Sequence, residues 1–193
     1  GFFLMFNGSL TTLDGADVSS ATASSFILPE IEDQGTTQIH VVNPNGEPAK
    51  ITFQLYGAEG KQKGTAAERN IGARAAVAEF VTELFPAVSS SASDHIRVNS
   101  DRPVVGFEKL GKIGQYCQGM NGQDAAGGGT ALYAPQYVIG SLWRTTLSVV
   151  NLEATDGTVT LRFIKDDGRQ IGATKVEQIK AKGKIYITDE RYF

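Results

Sequence analysis

A single cysteine, Cys117, among 193 residues excludes an intramolecular disulfide, so packing and hydrogen bonds must hold the chain folded. That cysteine usage fits a cytosolic protein and equally the many bacterial secreted proteins that do without disulfides. Histidine is scarce too: His40 and His95 with Cys117 leave a zinc site short of an evident set of three or four ligands. No apolar run approaches the roughly 20 residues a spanning helix needs. The opening run Phe2 to Phe6 has neither the basic flank nor the cleavage site of a signal peptide. No long block of one charge occurs, and a net charge of −3 with a pI near 5.4 points away from nucleic acid and anionic membrane as partners. No serine sits in a G-x-S-x-G elbow, and no lysine follows Gly127-Gly128-Gly129 as a phosphate loop requires.

What is present is glycine, 22 residues of it, and an internal repeat. Thr37, Val41, Val42, Asn43, Thr52 and Gly60 return as Thr145, Val149, Val150, Asn151, Thr160 and Gly168, at a constant shift of 108 residues. The shift holds without a gap from Thr37 against Thr145 to Phe85 against Phe193. Upstream, Gly1-Phe2 matches Gly106-Phe107 and Phe26–Pro29 matches Leu132–Pro135 at slightly smaller shifts. A period of this length is close to the commonest domain size. The expected units are 1–88 and 106–193, joined by residues 89–105, a connecting segment that includes one arm of a hairpin.

Ile39, Val41 and Ile51, Phe53, Leu55 alternate with polar neighbours, the period of a half-buried strand, and copy two keeps the phase. Asn45-Gly46, Asp156-Gly157 and Asp167-Gly168 are turn dipeptides. Residues 65–85 read as helix by propensity alone, but their copy contains Gly183-Lys184-Ile185-Tyr186-Ile187-Thr188, which reads as strand. The comparison predicts strands over 68–73 and 76–80, then a helical turn over 81–85 stopped by Pro86. Ile96–Val98 and Val104–Phe107 read as a hairpin about a turn at Asn99–Pro103. Short strands separated by turns, without sustained helix, predict an all-β fold of two tandem antiparallel β-sandwich units with at most short helical turns.

Chemistry is thinner. His40 falls on the outward phase of its strand and has Ser148 as its copy, which suits a rim histidine. Cys117 reads as a partly buried structural thiol, since no base is evidently held beside it. Asn121, Asp124, Asp166 and Asp167 put oxygen ligands in turns, making them calcium candidates, although Asp and Asn populate turns anyway. No other metal or cofactor is expected. Trp143 and Tyr137, with Tyr133 and Tyr116 nearby, form an aromatic group in copy two. Trp143 has no counterpart in copy one and is the candidate for a private contact. Phe2, Phe3 and Phe6 belong to a strand apolar on both faces, which is costly in water. It corresponds to the second hairpin arm without the unit that precedes it, so the chain reads as a mature form or excised fragment. The expectation is that this strand fills a place in a sheet, within its own unit or in a neighbouring molecule.

The runs Phe26-x-x-Pro29, Gly35-x-Thr37, Val41-Val42-Asn43-Pro44, Glu83-Leu84-Phe85-Pro86 and Ser100-Asp101-Arg102-Pro103-Val104-Val105-Gly106-Phe107 resemble the Ig-like β-sandwich repeats found in tandem on bacterial secreted and cell-surface proteins. Copy two departs at Leu152, where Pro44 is matched. The resemblance implies a non-enzymatic extracellular spacer, stalk or adhesion module, working through protein–protein contacts that include self-association by strand addition. It carries over no catalytic residue. The alternative is a carbohydrate-binding module with Trp143 and the nearby tyrosines as its platform.

Overall fold

The computed structural model describes residues 1–6, 8–9, 13–19, 21–112, 114–138, 145–189 and 191–193. The chain runs β1 (Phe2–Phe6), β2 (Leu13–Asp17), β3 (Ala23–Leu28), β4 (Thr36–Val42), β5 (Ala49–Tyr56), β6 (Ala67–Ile71), β7 (Ala76–Phe80), α1 (Val81–Leu84), β8 (His95–Lys112), β9 (Tyr116–Asn121) and β10 (Gln123–Asp124). Then follow β11 (Leu147–Val150), β12 (Gly157–Ile164), β13 (Gln170–Ile179) and β14 (Lys184–Ile187). The fold is all-β and the sheets are antiparallel. Among the described residues, helix is confined to α1 and a 3-10 turn at Ala125–Gly127. The stretch that reads as helix by propensity forms β6 and β7, with only the last turn helical. There the Glu83 carboxylate accepts the Phe80 N–H at 2.7 Å.

Copy one has two layers. β3, the first part of β8, β5 and β6 make one; β9, the second part of β8, β4 and β7 make the other. Alternate residues of β4 (Ile39, Val41) and β5 (Ile51, Phe53, Leu55) face a shared core with Phe26, Leu28, Ile96, Val98 and Val104. The hairpin expected at 96–107 is not formed. β8 is one strand that changes layer: His95–Ser100 pair with β5, while Val105–Gly111 pair with β4. The expected boundary between 105 and 106 therefore falls inside β8. Asp101-Arg102-Pro103 carry the crossing. Asp101 Oδ1 accepts the Lys50 N–H (2.8 Å), Asn45 Nδ2 donates to the Pro103 carbonyl (2.8 Å), and Arg102 Nε donates to the Pro48 carbonyl (3.1 Å). The residues that read as a hairpin turn are held by another turn of the same unit.

Copy two repeats the β4–β7 and β5–β6 pairs of this framework. Val42↔Ala76 becomes Val150↔Lys184, and Ala49↔Ile71 becomes Gly157↔Ile179. Buried Asn43 donates its amide to the carbonyls of Glu47 and Gly72; Asn151 donates to those of Thr155 and Lys180. Arg74 and Lys182 hold the same positive φ, 56° and 57°. A repeat conserved to its side-chain hydrogen bonds and its left-handed residues is one building block used twice.

The copies differ where β3 would recur. Leu132 and Tyr133, matched to the buried Phe26 and Ile27, are 74% and 92% exposed in a stretch that forms no strand. Among the described residues no strand runs beside this segment as β8 runs beside β3.

Candidate functional site

The densest buried chemistry lies where the copies meet, at the β14 end of copy two. The first contact is steric. The turn at Gly57–Gly60 packs on the turn at Lys180–Gly183 so closely that a Cβ on Gly60 would lie 1.7 Å from the Ala181 carbonyl oxygen, and one on Gly183 would lie 2.4 Å from that of Ala58. The Lys184 N–H donates to the Ala58 carbonyl at 3.1 Å, and Arg97 Nη2 to the Asn151 carbonyl at 2.7 Å.

Behind these turns the Lys184 side chain, fully buried, crosses into copy one. Its Nζ donates to the carbonyls of Pro29 (2.6 Å), Ala92 (2.7 Å) and Asp94 (3.2 Å), with Glu30 Oε1 at 3.6 Å. Three acceptors match the three protons of an ammonium. Burial pushes the Lys184 amine below its ordinary range, opposed by Glu30 and Glu108.

Around it stand more buried polar groups. Glu108 accepts the Glu30 N–H at 3.1 Å through Oε1, while its Oε2 has no partner. Burial raises its carboxyl well above the usual range, and nearby Glu30 adds to this, against the pull of the Glu30 N–H and Lys184. His95 is wholly buried and neither ring nitrogen has a hydrogen-bond partner. Burial, then Arg97 and Lys184, press its pKa down to about 3, so the ring is neutral. It stacks on Tyr56 at 5.8 Å, and Arg97 and Lys182 approach the Tyr56 ring at 5.4 and 6.0 Å. Asp94 closes the rim through Lys63 Nζ at 2.7 Å and the Ser91 N–H at 2.8 Å.

Chemically, the arrangement is a lock. Its ammonium has all three protons engaged by backbone, its imidazole is neutral and its carboxyl favours the protonated form. The sequence held a signal for it in the departure between copies: Lys184 replaces Ala76, an exposed residue of β7.

The expected site residues do not gather here. Tyr137 packs with Phe163 and Phe193, each at 5.2 Å, inside copy two. Trp143 lies outside the described residues. Asn121 donates to the Asp17 carbonyl, Asp124 caps the 3-10 turn through the Ala126 N–H, and Asp167 pairs with Arg169 in the β12–β13 turn. Asn121 and Asp124 thus belong to the β9–β10 region and Asp166 and Asp167 to another turn. No group of three or more His, Cys, Asp or Glu placed to hold a metal ion occurs among the described residues. Cys117 is half-buried in β9. His40 sits half-buried against Phe107, its pKa lowered by burial and by Lys109. Phe3 also packs on Phe107, at 5.3 Å, while Phe2 and Phe6 are exposed. No described helix is long and apolar enough to cross a membrane.

No family profile matches the chain, and no curated protein matches it in sequence. Solved structures similar to it include Thermotoga maritima 1070, at 18% identity and a TM-score of 0.46 over 53% of this chain and 95% of that one. The Anabaena sensory rhodopsin transducer follows at 16% identity and a TM-score of 0.38, over 46% of this chain and 83% of that one. Red sea bream transglutaminase, at 14% identity and a TM-score of 0.20, matches 89% of this chain and 26% of its own. At these scores the likenesses assign neither a fold family nor an activity.

Proposed function

We propose that the chain is a non-enzymatic structural module, in which two copies of one β unit are locked into a rigid piece that serves as a spacer or stalk. The observation that carries this is Lys184: one copy's fully buried ammonium is spent on three backbone carbonyls of the other. Burying a lysine costs several kcal/mol unless its protons are all engaged. A flexible linker between independent units would gain nothing from it. The resemblance of the repeats to secreted and surface modules supports a setting outside the cell.

The test is Lys184→Met, which keeps the volume and removes the donor. Three buried carbonyls then lose a charged partner, and the relief of desolvating the amine offsets only part of that, leaving a net loss of about 2–4 kcal/mol. By calorimetry the parent should melt in one transition, while the variant should resolve two as the copies uncouple. A variant melting as one unit at the parent temperature would defeat the reading.

A further inference from the structure

Two buried groups of the junction hold protons in the reverse of their usual order. His95 and Glu108, both on β8, are wholly buried. Neither ring nitrogen of His95 has a partner, so an imidazolium there would leave two charged N–H groups orphaned. The neutral ring avoids that cost. Glu108 accepts the Glu30 N–H through Oε1, and its Oε2 has no partner. A buried carboxylate with a single donor is costly, so the carboxyl favours keeping its proton. In water the order is the opposite: imidazole is the stronger base, with an ordinary value of 6.5 against 4.5.

Both groups face the same intruder. Lys184 of copy two acts electrostatically on each, and its side chain is fully buried against copy one. Copy one adds Arg97 beside His95 and Glu30 beside Glu108. Tyr56 stacks on His95, and Lys182 of copy two approaches the Tyr56 ring. The Tyr186 ring lies 4.9 Å from the Lys184 ammonium. Asp94, which precedes His95, is taken by Lys63 Nζ and the Ser91 N–H. Among the described residues, none of these groups gives a hydrogen bond to the His95 ring or to Glu108 Oε2.

We propose that the junction is a pH gate, which holds the copies together most tightly in mildly acidic solution and loosens on either side. When the copies part, Lys184 is withdrawn and water reaches both groups. Glu108 then releases one proton to water, and His95 takes one up. The His95 share of the coupling is whole above pH 6.5. It is lost as pH falls toward about 3, the value that burial, Arg97 and Lys184 impose on the closed junction. The Glu108 share is whole below 4.5. It is lost as pH climbs toward the closed value, which burial raises well above that. Between 4.5 and 6.5 the two slopes oppose each other and the coupling is level. The gate rests on the Lys184 lock, since only a closed junction keeps water from these groups.

The test reads the Lys184 amide, which donates across the junction to the Ala58 carbonyl, by hydrogen exchange corrected for the intrinsic rate at each pH. Amides of β5, which lies between β6 and β8, report whether copy one stays folded. In the parent, protection of Lys184 should stay within about twofold from pH 4.5 to pH 6.5 and drop beyond both limits. In Glu108→Gln only the His95 share remains, so protection should rise by about 10- to 50-fold across that window. In His95→Phe, which keeps the stack on Tyr56, it should fall by a similar factor. Each single variant decides on its own, since each should show a slope that the parent lacks. Slopes of the same sign in both variants, a steep slope in the parent, or loss at β5 in step with Lys184 would overturn the gate. Protection that is present but indifferent to pH in all three proteins would defeat the gate alone. A Lys184 amide unprotected in the parent at every pH would defeat the lock beneath it.

Discussion

Gly60 and Gly168 occupy the same position of the two copies, and the chain thereby contains its own control. Each ends a tight turn, donating its N–H to the carbonyl of Gly57 or Lys165 at 2.9 Å, and each holds a positive φ, +71° and +82°. Alanine at either site takes on the left-handed conformation at about 1–2 kcal/mol. At Gly168 the cost ends there, because nothing lies within 4 Å of the added Cβ. At Gly60 the Cβ would stand 1.7 Å from Ala181 O, 2.9 Å from Ala181 C and 3.1 Å from Gly183 N, all backbone atoms that no rotamer change can move. The two turns must part by on the order of 1 Å to restore ordinary contact. Such a shift strains the Lys184–Ala58 hydrogen bond and the carbonyl cage behind it, adding about 2–3 kcal/mol. Denaturant unfolding of both variants measures the difference, and calorimetry shows whether Gly60→Ala splits the transition. Equal losses at the two positions, or a greater loss at Gly168, would refute the claim that these turns form a tight junction.

Acid should weaken the molecule through His95. Its folded pKa of about 3 lies below the unfolded 6.5, so its contribution is whole above pH 6.5 and is lost as pH falls toward 3. The slope from this one group is up to about 1.4 kcal/mol per pH unit, and His95→Phe, which keeps the stack on Tyr56, should remove that share from a pH series of denaturant midpoints. Glu108 runs the other way. Its raised pKa favours the folded state at acid pH, and that advantage disappears as pH climbs through the folded value. Glu108→Gln, which keeps an acceptor for the Glu30 N–H, should therefore gain on the parent as pH rises above the ordinary carboxylate range when the same midpoints are compared.

The regular strands were legible because one physical pattern marks them. The period of two in Ile51, Phe53, Leu55 places those side chains in the core, and its return in Val159, Leu161, Phe163 fixes β12. Residues 67–80 were legible only through the repeat. Their alanines and glutamates favour helix, and the strand-forming text of 183–188 shows that packing overrides that propensity. β8 was misread because Ser100-Asp101-Arg102-Pro103 has the composition of a hairpin turn. What keeps its arms from meeting is tertiary: Asn45, Pro48 and Lys50 hold the crossing, and β3, β4 and β5 already occupy the edges the arms present. The acceptors of the junction do not show in a pattern, because they are carbonyls of Pro29, Ala92 and Asp94, groups that every residue owns. Only the lysine distinguishes them.

A repeat separates what a fold needs from what one copy does alone. Positions that agree across 108 residues, such as Asn43 and Asn151, keep the unit folded. Disagreement at a position where the backbone agrees must have another cause. Lys184 stands at the register position of Ala76, on a strand paired identically, so the strand cannot be what calls for a lysine there. The cause lies across the junction, in three carbonyls of copy one that Lys184 reaches only when the copies are held in one orientation. An apolar residue of the same length would bury comparable surface with less desolvation, yet it would accept many orientations. An ammonium with three fixed acceptors accepts one. Direction is thus the property Lys184 adds, and a rigid direction between units is what a spacer requires.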